Sequence, residues 1–462
     1  MKEKNYGLDL TSGRISTLLL RFAGPFLAAG LVTALYGAVD LFVVGQYTDQ
    51  GVISGVSTGT QIMNIVYSAT IGIGTGGTVL MAHRIGERDK AGSARAAGSI
   101  LLTAAALMVF MTAVMWFLRE ILLTALDTPE EARPSATNFV KLATIGVPFN
   151  VGFNIISSLA RGLGNSRAPS IVGAIGCVVN IALALLFVGA LRMREIGVAL
   201  ATALAQVTTF TIIGVWLLRK KFPFPFTRGD FRIDWKSVGM IFWVGTPLWL
   251  QELLITGSFM IITGLVNGMG VVASASVGII AKVFSLGGMF PLAIGNAVSA
   301  MTAQNLGAGR RDRALRALRC GIAYSLIIEV ALCVYCQISP ESITALFARE
   351  LPVIEGAAAY LRAFSLDLTL ISFIFCINAY LSGHGKSIVS MAHSVAATFG
   401  VRVPLSIVFS RMRGVDLNTQ LYYLGFAAPI ASILSITICV IYIARLNSKR
   451  GPAVPPPRVS DI

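Results

Sequence analysis

The sequence predicts an all-α membrane protein with twelve transmembrane helices arranged as two six-helix repeats. Three observations carry this prediction. The 462 residues are 55% hydrophobic and only 13% charged, twelve apolar stretches are long enough to cross lipid, and the second half of the chain repeats the first. A helix that crosses a bilayer needs roughly 20 apolar residues. Only helices or closed barrels satisfy the backbone in lipid, and the uninterrupted apolar runs exclude the alternating pattern of a barrel.

The apolar stretches define the expected helices in chain order. They cover residues 15–45, 52–82, 95–118, 136–160, 168–191, 196–218, 238–266, 272–305, 314–337, 355–382, 387–409 and 420–444. Several exceed one bilayer thickness, so we expect tilted or bent helices. Prolines inside the stretches remove backbone hydrogen bonds and permit bending. These prolines are Pro25, Pro148, Pro247, Pro291 and Pro404.

The repeat is visible as identical residues at an offset of about 221 positions. The pairs are Gly74 and Gly295, Ala82 and Ala303, Gly86 and Gly307, Arg95 and Arg316, Ala96 and Ala317, Gly162 and Gly383, Gly164 and Gly385, and Ser166 and Ser387. Two similar halves in a membrane are the usual construction of a secondary transporter, which holds its substrate between them. Channels and membrane scaffolds can also be built from repeats, so the repeat alone does not decide between these classes.

A charged segment that contains proline divides the chain. We expect a first lobe at residues 1–218, an exposed cytoplasmic linker at 219–237, a second lobe at 238–446 and a disordered cytoplasmic tail at 447–462. Proline and alternating charge argue against a thirteenth helix in the linker, and the tail is rich in proline. Since six helices is an even number, both halves start from the same side of the membrane.

The net charge of +15 is explained by orientation in the membrane rather than by nucleic acid. With a cytoplasmic N-terminus, 26 Lys and Arg residues lie on or beside cytoplasmic segments and nine lie outside. This bias is the positive-inside pattern and places both termini in the cytoplasm. The polar start of the chain has no apolar core of a cleavable signal peptide. We therefore expect a multi-pass plasma-membrane protein that binds no nucleic acid.

Sequence patterns that resemble enzyme motifs lack the required context. Residues 72–77 match G-x-G-x-x-G, but they lie inside an apolar helix rather than between a strand and a helix. Cys333 and Cys336 have the spacing of metal ligands without a second pair or a nearby histidine. The three histidines are scattered, and residues 385–387 only resemble the end of a phosphate-binding loop. We expect no enzyme activity, no metal site and no cofactor other than a coupling ion.

Four acidic residues lie well inside expected helices: Asp40, Glu252, Glu329 and Asp367. A carboxylate at bilayer depth costs on the order of 3 kcal/mol, so each must face a partner or a cavity. Asp40 is the strongest candidate for a proton or cation site. Tyr36 precedes it by one turn, and the same half offers Asn180, Thr202 and Gln206 as neutral polar partners.

The two halves differ in their acids. The repeat position of Asp40 is Ile261, which favours one dedicated ion site in the first half. Glu252 and Asp367 are candidates for a second-lobe role; alternatively, Lys282 neutralises either of them in a structural pair. Glu329 has only apolar and cysteine neighbours along its helix, and a role in transport is not favoured for it.

Six segments carry a recognisable pattern: residues 20–25 and 36–45 in the first helix, 74–76 and 82–86 in the second, 161–166 after the fourth, and 197–202 with Gln206 in the sixth. Together they resemble the multidrug and toxic compound extrusion (MATE) transporters, and the resemblance extends over nearly the whole chain. It implies two six-helix lobes around a central cavity that opens alternately to each side. It also implies export of organic cations, driven by inward movement of H⁺ or Na⁺.

The resemblance also implies roles for individual residues. Asp40 matches the first-helix aspartate of the family, Asn180 its fifth-helix asparagine and Thr202 its sixth-helix threonine. Many members carry an aspartate one turn after that asparagine, and here the position is Ala184. Loss of this carboxylate weakens a sodium site in the first lobe and favours proton coupling through Asp40.

The leading hypothesis is an antiporter that exports amphipathic or cationic small molecules. In this mechanism Asp40 binds H⁺ or Na⁺ from outside, the first helix bends near Pro25 and the first-lobe cavity releases its cargo. Aromatic, methionine and amide groups suit flat cations. The candidate contacts are Tyr36, Gln61, Met63, Asn64, Tyr67, Asn150 and Asn154. The expected partners are small organic cations and membrane lipids, and the expected state is a monomer.

Two other readings stay open. A flippase for lipid-linked saccharides, from the same superfamily, should carry several arginines that face its cavity, whereas only Lys282 and Arg402 lie well inside the helices. A channel or membrane scaffold is the other alternative, but halves that differ at Asp40 fit a single-chain carrier better than a symmetric pore.

Overall fold

The computed structural model describes residues 7–126, 128–220 and 222–448, with side chains at 34–42, 44, 447 and 448 left undescribed. It contains twelve helices long and apolar enough to cross a membrane. They are α1 (Ile15–Tyr47), α2 (Gln50–Glu87), α3 (Lys90–Ala125), α4 (Arg133–Gly162), α5 (Arg167–Ala190), α6 (Arg194–Arg219), α7 (Trp235–Asn267), α8 (Val271–Gly307), α9 (Arg311–Ile338), α10 (Leu351–Gly383), α11 (Ser387–Ser410) and α12 (Leu417–Leu446). The described residues include no strand, and the predicted fold class is confirmed. The predicted tail lies outside the described residues except for its first two positions.

The expected irregularities occur at two of the five prolines. Helix α8 is interrupted at Gly288, three residues before Pro291. In α11 a wider π turn spans Thr398–Arg402 just before Pro404, whose ring cannot donate the normal backbone hydrogen bond. Helices α1, α4 and α7 continue without interruption through their prolines, which are Pro25, Pro148 and Pro247.

The repeated glycines mark equivalent helix contacts in the two lobes. A Cβ atom on Gly162, at the end of α4, would lie 2.9 Å from the carbonyl oxygen of Thr78 in α2. A Cβ atom on Gly383, at the end of α10, would lie 2.8 Å from the carbonyl oxygen of Ser299 in α8. Thr78 and Ser299 are themselves related by the 221-residue offset. The sequence repeat is therefore a repeat of close backbone packing.

The first helix of each half begins against the opposite lobe. Leu19 and Phe22 of α1 are fully buried in an apolar cluster with Met301 and Tyr380 of the second lobe. Ile241 near the start of α7 is buried in the large core of the first lobe. The two lobes are thus joined by reciprocal packing of α1 and α7.

The lobes also meet where α2 and α8 end, at the face of the bundle that carries residues 7–14; we call this the N-terminal face. A side chain on Gly86 would overlap the carbonyl oxygen of Gln304, and one on Gly307 would overlap the carbonyl oxygen of His83. These two contacts exchange under the repeat offset, so α2 and α8 cross with approximate twofold symmetry. Only glycine allows the backbones to approach this closely.

The Gln304 side chain in α8 forms hydrogen bonds with two other segments at this crossing. Its side chain is 1% exposed, its Nε2 donates to the carbonyl oxygen of Gly162 at 3.1 Å, and its Oε1 accepts from the backbone N–H of Leu10 at 3.1 Å. The neighbouring Asn305 donates through Nδ2 to the carbonyl oxygen of Leu10 at 3.0 Å. Hydrogen bonds between the lobes therefore cluster at the N-terminal face.

The glycine-rich segment 72–77 serves helix packing. Gly76 faces the carbonyl oxygen of Ile241 in α7 so closely that a Cβ atom would overlap it. On the opposite side of α2, a Cβ atom on Gly77 would lie 2.7 Å from Ser158 Oγ in α4. The segment lies within one continuous helix, which confirms that it is not the dinucleotide-binding turn.

The linker differs from expectation in one respect. Its described residues hold no separate transmembrane helix; they form one turn of 3₁₀ helix at Arg228–Asp230, and α7 begins within the expected linker at Trp235. Its aromatic part is not exposed, because Phe224 is 6% exposed and joins the first-lobe core. The Phe222 ring stacks on Phe224 with centroids 5.2 Å apart. The charged residues of the linker thus follow an aromatic segment that packs on the first lobe. Composition alone did not indicate this packing.

We predict that Gly307→Ala lowers the melting temperature of the purified protein in detergent. The added methyl group overlaps a backbone carbonyl, and overpacking of this kind costs about 1–3 kcal/mol. The matched control is Gly214→Ala in α6, where no atom lies within 4 Å of the added Cβ. Because alanine is the better helix former, the control should melt at the same or a higher temperature. Equal melting temperatures for the two variants would contradict the close approach of α2 and α8 at this position.

Candidate functional site

The first lobe contains a polar cluster formed by α2, α5 and α6. Asn180 is 5% exposed and donates through Nδ2 to Thr202 Oγ1 at 3.4 Å. One turn further along α6, Gln206 is 9% exposed and donates through Nε2 to the hydroxyl of Tyr67 at 2.6 Å. The structure thus pairs two residues of the expected coupling site, Asn180 and Thr202, and links the nearby Gln206 to one expected substrate contact, Tyr67.

Two acceptors in this cluster lack partners. The carbonyl oxygens Asn180 Oδ1 and Gln206 Oε1 are buried and accept no hydrogen bond from the residues that the structure describes. A buried acceptor without a partner costs about 1–3 kcal/mol. Gln206 Oε1 lies against Gly146 of α4 so closely that a Cβ atom there would overlap it, whereas Asn180 Oδ1 suits a small cation or a protonated acid, which would supply the missing positive end. The cluster is therefore an acceptor site for a positive or hydrogen-donating group.

The side chains of Asp40 and Tyr36 lie outside the described residues, although their backbone belongs to α1. Thr33 Oγ1 lies 3.8 Å from Cys177 Sγ, which places α1 beside α5 one turn before Asn180. Asp40 follows Thr33 by two helical turns on the same helix. The backbone therefore brings Asp40 alongside the helix that carries Asn180, and its coupling role stays a prediction.

The remaining first-lobe candidates lie in three different environments. Gln61 and Asn64 are exposed on one side of α2. Asn150 and Asn154 are partly buried in α4, where Asn154 Nδ2 donates to Asn150 Oδ1 at 3.1 Å. Met63 is different: it is 2% exposed and belongs to the first-lobe core, so it does not reach a cavity in this conformation. Neighbouring residues on a helix point in different directions, and Met63 faces the core.

The expected role of Lys282 as counter-charge in the second lobe is wrong for this conformation. Lys282 is exposed on α8, and no ion pair joins it to Glu252 or Asp367 among the described residues. Asp367 is 5% exposed and accepts a hydrogen bond from Ser432 Oγ at 2.5 Å. The cation that interacts electrostatically with Asp367 is Arg402.

Glu252 and Glu329 occupy opposite environments. Glu252 is exposed on α7, whereas Glu329 in α9 is fully buried. Neither carboxyl oxygen of Glu329 has a hydrogen-bond partner in the part of the chain described. Its Oε2 faces Gly287 at the interruption of α8, 3.6 Å from where a Cβ atom would stand. An ionised carboxyl group without a partner is costly in such a place.

Sequence reasoning missed a second polar network, centred on His393. The ring is 3% exposed, Nδ1 lies 2.8 Å from Ser435 Oγ, and Nε2 lies 2.8 Å from Asn378 Oδ1. These contacts join α10, α11 and α12. The three residues are far apart in the sequence, so only the helix arrangement shows that they form a unit.

Comparison with known proteins gives one consistent family. The MatE family model matches residues 25–186 and 247–408, one match in each repeat. The "Probable multidrug resistance protein YpnP" of Bacillus subtilis is 25% identical over 90% of this chain and 94% of its own length. The "FAD transporter" of Shewanella oneidensis is 21% identical over 96% of this chain and 97% of its own length.

Solved structures show the same architecture. An outward-facing MATE-family multidrug resistance transporter superposes with a TM-score of 0.89 at 21% identity, over 97% of this chain and all of that one. At this identity the likeness concerns the fold. Together with the paired family match, it confirms the two-repeat transporter architecture that the sequence predicted.

We predict that Glu329→Met raises the melting temperature in detergent. Methionine fills a similar volume and removes an unpartnered buried carboxyl group, which should gain about 1–3 kcal/mol. Glu252→Met is the control, and its exposed side chain should leave the melting temperature nearly unchanged. A lower melting temperature for Glu329→Met would show that the carboxyl group has a partner. Lost transport in a stable variant would show that the carboxyl takes part in function.

Proposed function

The chain belongs to the MatE family of multidrug efflux transporters, and we propose that it is a secondary antiporter that exchanges amphipathic or cationic small molecules for H⁺ or Na⁺. The observation that supports this most is the pair of buried, unpartnered oxygens on Asn180 and Gln206. Both lie on helices beside α1, which carries Asp40. A site with spare acceptors next to an intramembrane acid is suited to binding and releasing a cation.

Asp40 is the coupling residue in this proposal. When Asp40 is protonated, its O–H donates to one of the spare acceptors and the site becomes neutral. When Asp40 is ionised, it attracts Na⁺ or a cationic substrate. A single carboxylate cannot serve the coupling ion and the substrate together, so binding of one displaces the other. Competition of this kind is sufficient for antiport.

The substrate contacts in this proposal line the same lobe. Gln61 and Asn64 are exposed on α2, and Tyr67 connects them to the coupling site through Gln206. The tyrosine ring offers its face to an organic cation. Tyr36, Asn150 and Asn154 complete the proposed set. Met63 is omitted because it belongs to the core.

Alternating access requires the N-terminal face to open and close. In the structure this face is closed by Gln304, Gly86 and Gly307. We propose that both termini are cytoplasmic in the plasma membrane, so that this conformation is shut toward the cytoplasm. Bending of α1 at Pro25 then changes how the first lobe presents its site. The proposed transporter acts as a monomer, since each chain contains both lobes.

We predict that Asp40→Asn abolishes gradient-driven efflux. The measurement is efflux of a fluorescent organic cation from vesicles that contain the purified protein, under separate pH and Na⁺ gradients. Asparagine cannot ionise, so it neither binds the coupling ion nor releases a proton. Glu350→Gln, which removes an exposed acid just before α10 in the other lobe, should retain efflux.

The same experiment separates the competing functions. Efflux driven by one gradient identifies the coupling ion. If the folded wild-type protein shows no efflux under either gradient, the drug-export proposal fails and lipid-linked saccharide flipping becomes the leading function. Flux far above carrier turnover would indicate a channel.

A further inference from the structure

The second lobe contains a cavity of about 200 Å³ between α7, α8, α10 and α11. Aromatic rings form much of its wall. They are Phe259, Phe284, Tyr360 and Phe364. Phe364 contacts Phe284 edge-to-face and stacks with Tyr360, with centroids 5.5 Å apart in each pair. The cavity is therefore shaped for a flat apolar body.

Arg402 is the charged residue that lines this cavity. Its guanidinium carbon lies 4.1 Å from the centroid of the Phe259 ring. Within the described part of the chain, the guanidinium forms no hydrogen bond and no ion pair within 4.0 Å. Five N–H donors are thus available in a planar fork beside an aromatic wall.

The nearest acid does not neutralise Arg402 by direct contact. Asp367 interacts with it electrostatically, but its carboxylate accepts a hydrogen bond from Ser432 on α12 instead of forming an ion pair with the guanidinium. An anion that enters the cavity would meet the free donors of Arg402 first. Asp367 would weaken the attraction without blocking the position.

The cavity also occupies the repeat position of the first-lobe coupling site. At the 221-residue offset, Asp40 corresponds to Ile261, between the cavity residues Phe259 and Ile262. Asn180 corresponds to the residue immediately before Arg402. The corresponding regions of the two lobes therefore differ in charge, since the first carries the acid Asp40 and the second carries Ile261 at that position and the base Arg402 nearby.

We infer that this cavity binds a small planar aromatic anion, with its carboxylate on the Arg402 guanidinium and its ring against the aromatic wall. A guanidinium binds a carboxylate through two parallel N–H donors, which fixes the orientation of the ligand as well as its charge. The volume suits a body of one or two rings rather than a larger drug, whose sites usually measure roughly 300–1,000 Å³. This anion site is separate from the proposed cation site of the first lobe.

The test is calorimetric binding of 2-naphthoate to the purified full-length protein in detergent. The neutral comparison ligand is 2-naphthalenemethanol, which has the same ring system without the charge. Arg402→Gln should weaken naphthoate binding by at least about tenfold and bring it to the level of the alcohol. Arg402→Lys should retain part of the affinity, because the charge remains but the paired donors are lost.

Three further variants test the direction and the location of the effect. Asp367→Asn removes the competing negative charge and should tighten naphthoate binding, a result that damage to the fold would not produce. Lys282→Gln removes an exposed base that does not line the cavity and should leave affinity unchanged. Asp40→Asn should also bind normally, so failure of the coupling proposal and failure of this one are distinguishable.

The inference is overturned if wild-type protein binds the alcohol as tightly as naphthoate, or binds neither. It is equally overturned if Arg402→Gln, with an unchanged melting temperature, keeps full affinity. A loss of affinity in Lys282→Gln that equals the loss in Arg402→Gln would move the anion to another surface.

Discussion

The arrangement of the whole molecule depends on the close approach of α2 and α8 at the N-terminal face. Gly86 and Gly307 each lie against a carbonyl oxygen of the opposite helix, where no side chain fits. Because the backbones meet there, Gln304 reaches the end of α4 and also holds the segment before α1. The starts of α1 and α7 then pack on the opposite lobe. The backbone contact between α2 and α8 thus fixes the closed end of both lobes.

The polar part of this closure is made of separate hydrogen bonds rather than one buried network. Besides the bonds of Gln304, Arg310 Nη1 donates to the carbonyl oxygen of Thr11 at 2.7 Å and Arg313 donates to the carbonyl oxygen of Gly13. Each such bond contributes about 0.5–1.5 kcal/mol net. The glycine contacts add close packing without interlocking side chains. The apolar cores inside each lobe are much larger, so each lobe can move as a unit.

The sequence predicted the helices and the repeat well because both depend on local and regular features. The sixth helix, expected at 196–218, spans Arg194–Arg219. The candidate site was harder, because membership of a helix does not say which neighbour a side chain faces. Met63 and Lys282 show this: Met63 belongs to the first-lobe core, and Lys282 is exposed and forms no ion pair with the second-lobe acids among the described residues. The hydrogen bond between Asp367 and Ser432 joins residues that are 65 positions apart in the sequence, and no sequence pattern indicates it.

The two lobes share their glycine packing contacts but differ in their polar sites. Both observations follow from how much space each position leaves for a side chain. At Gly162 and Gly383 a larger side chain would collide with the neighbouring helix, so the same residue is required in each lobe. Residues around a cavity have no such restriction, and there the repeat pairs an acid with an aliphatic residue. Opposite charges that form a direct ion pair lose much of their attraction for ligands. In the second lobe this loss is avoided because the carboxyl group of Asp367 accepts a hydrogen bond from Ser432 Oγ, which leaves the Arg402 guanidinium without a direct ion pair among the described residues.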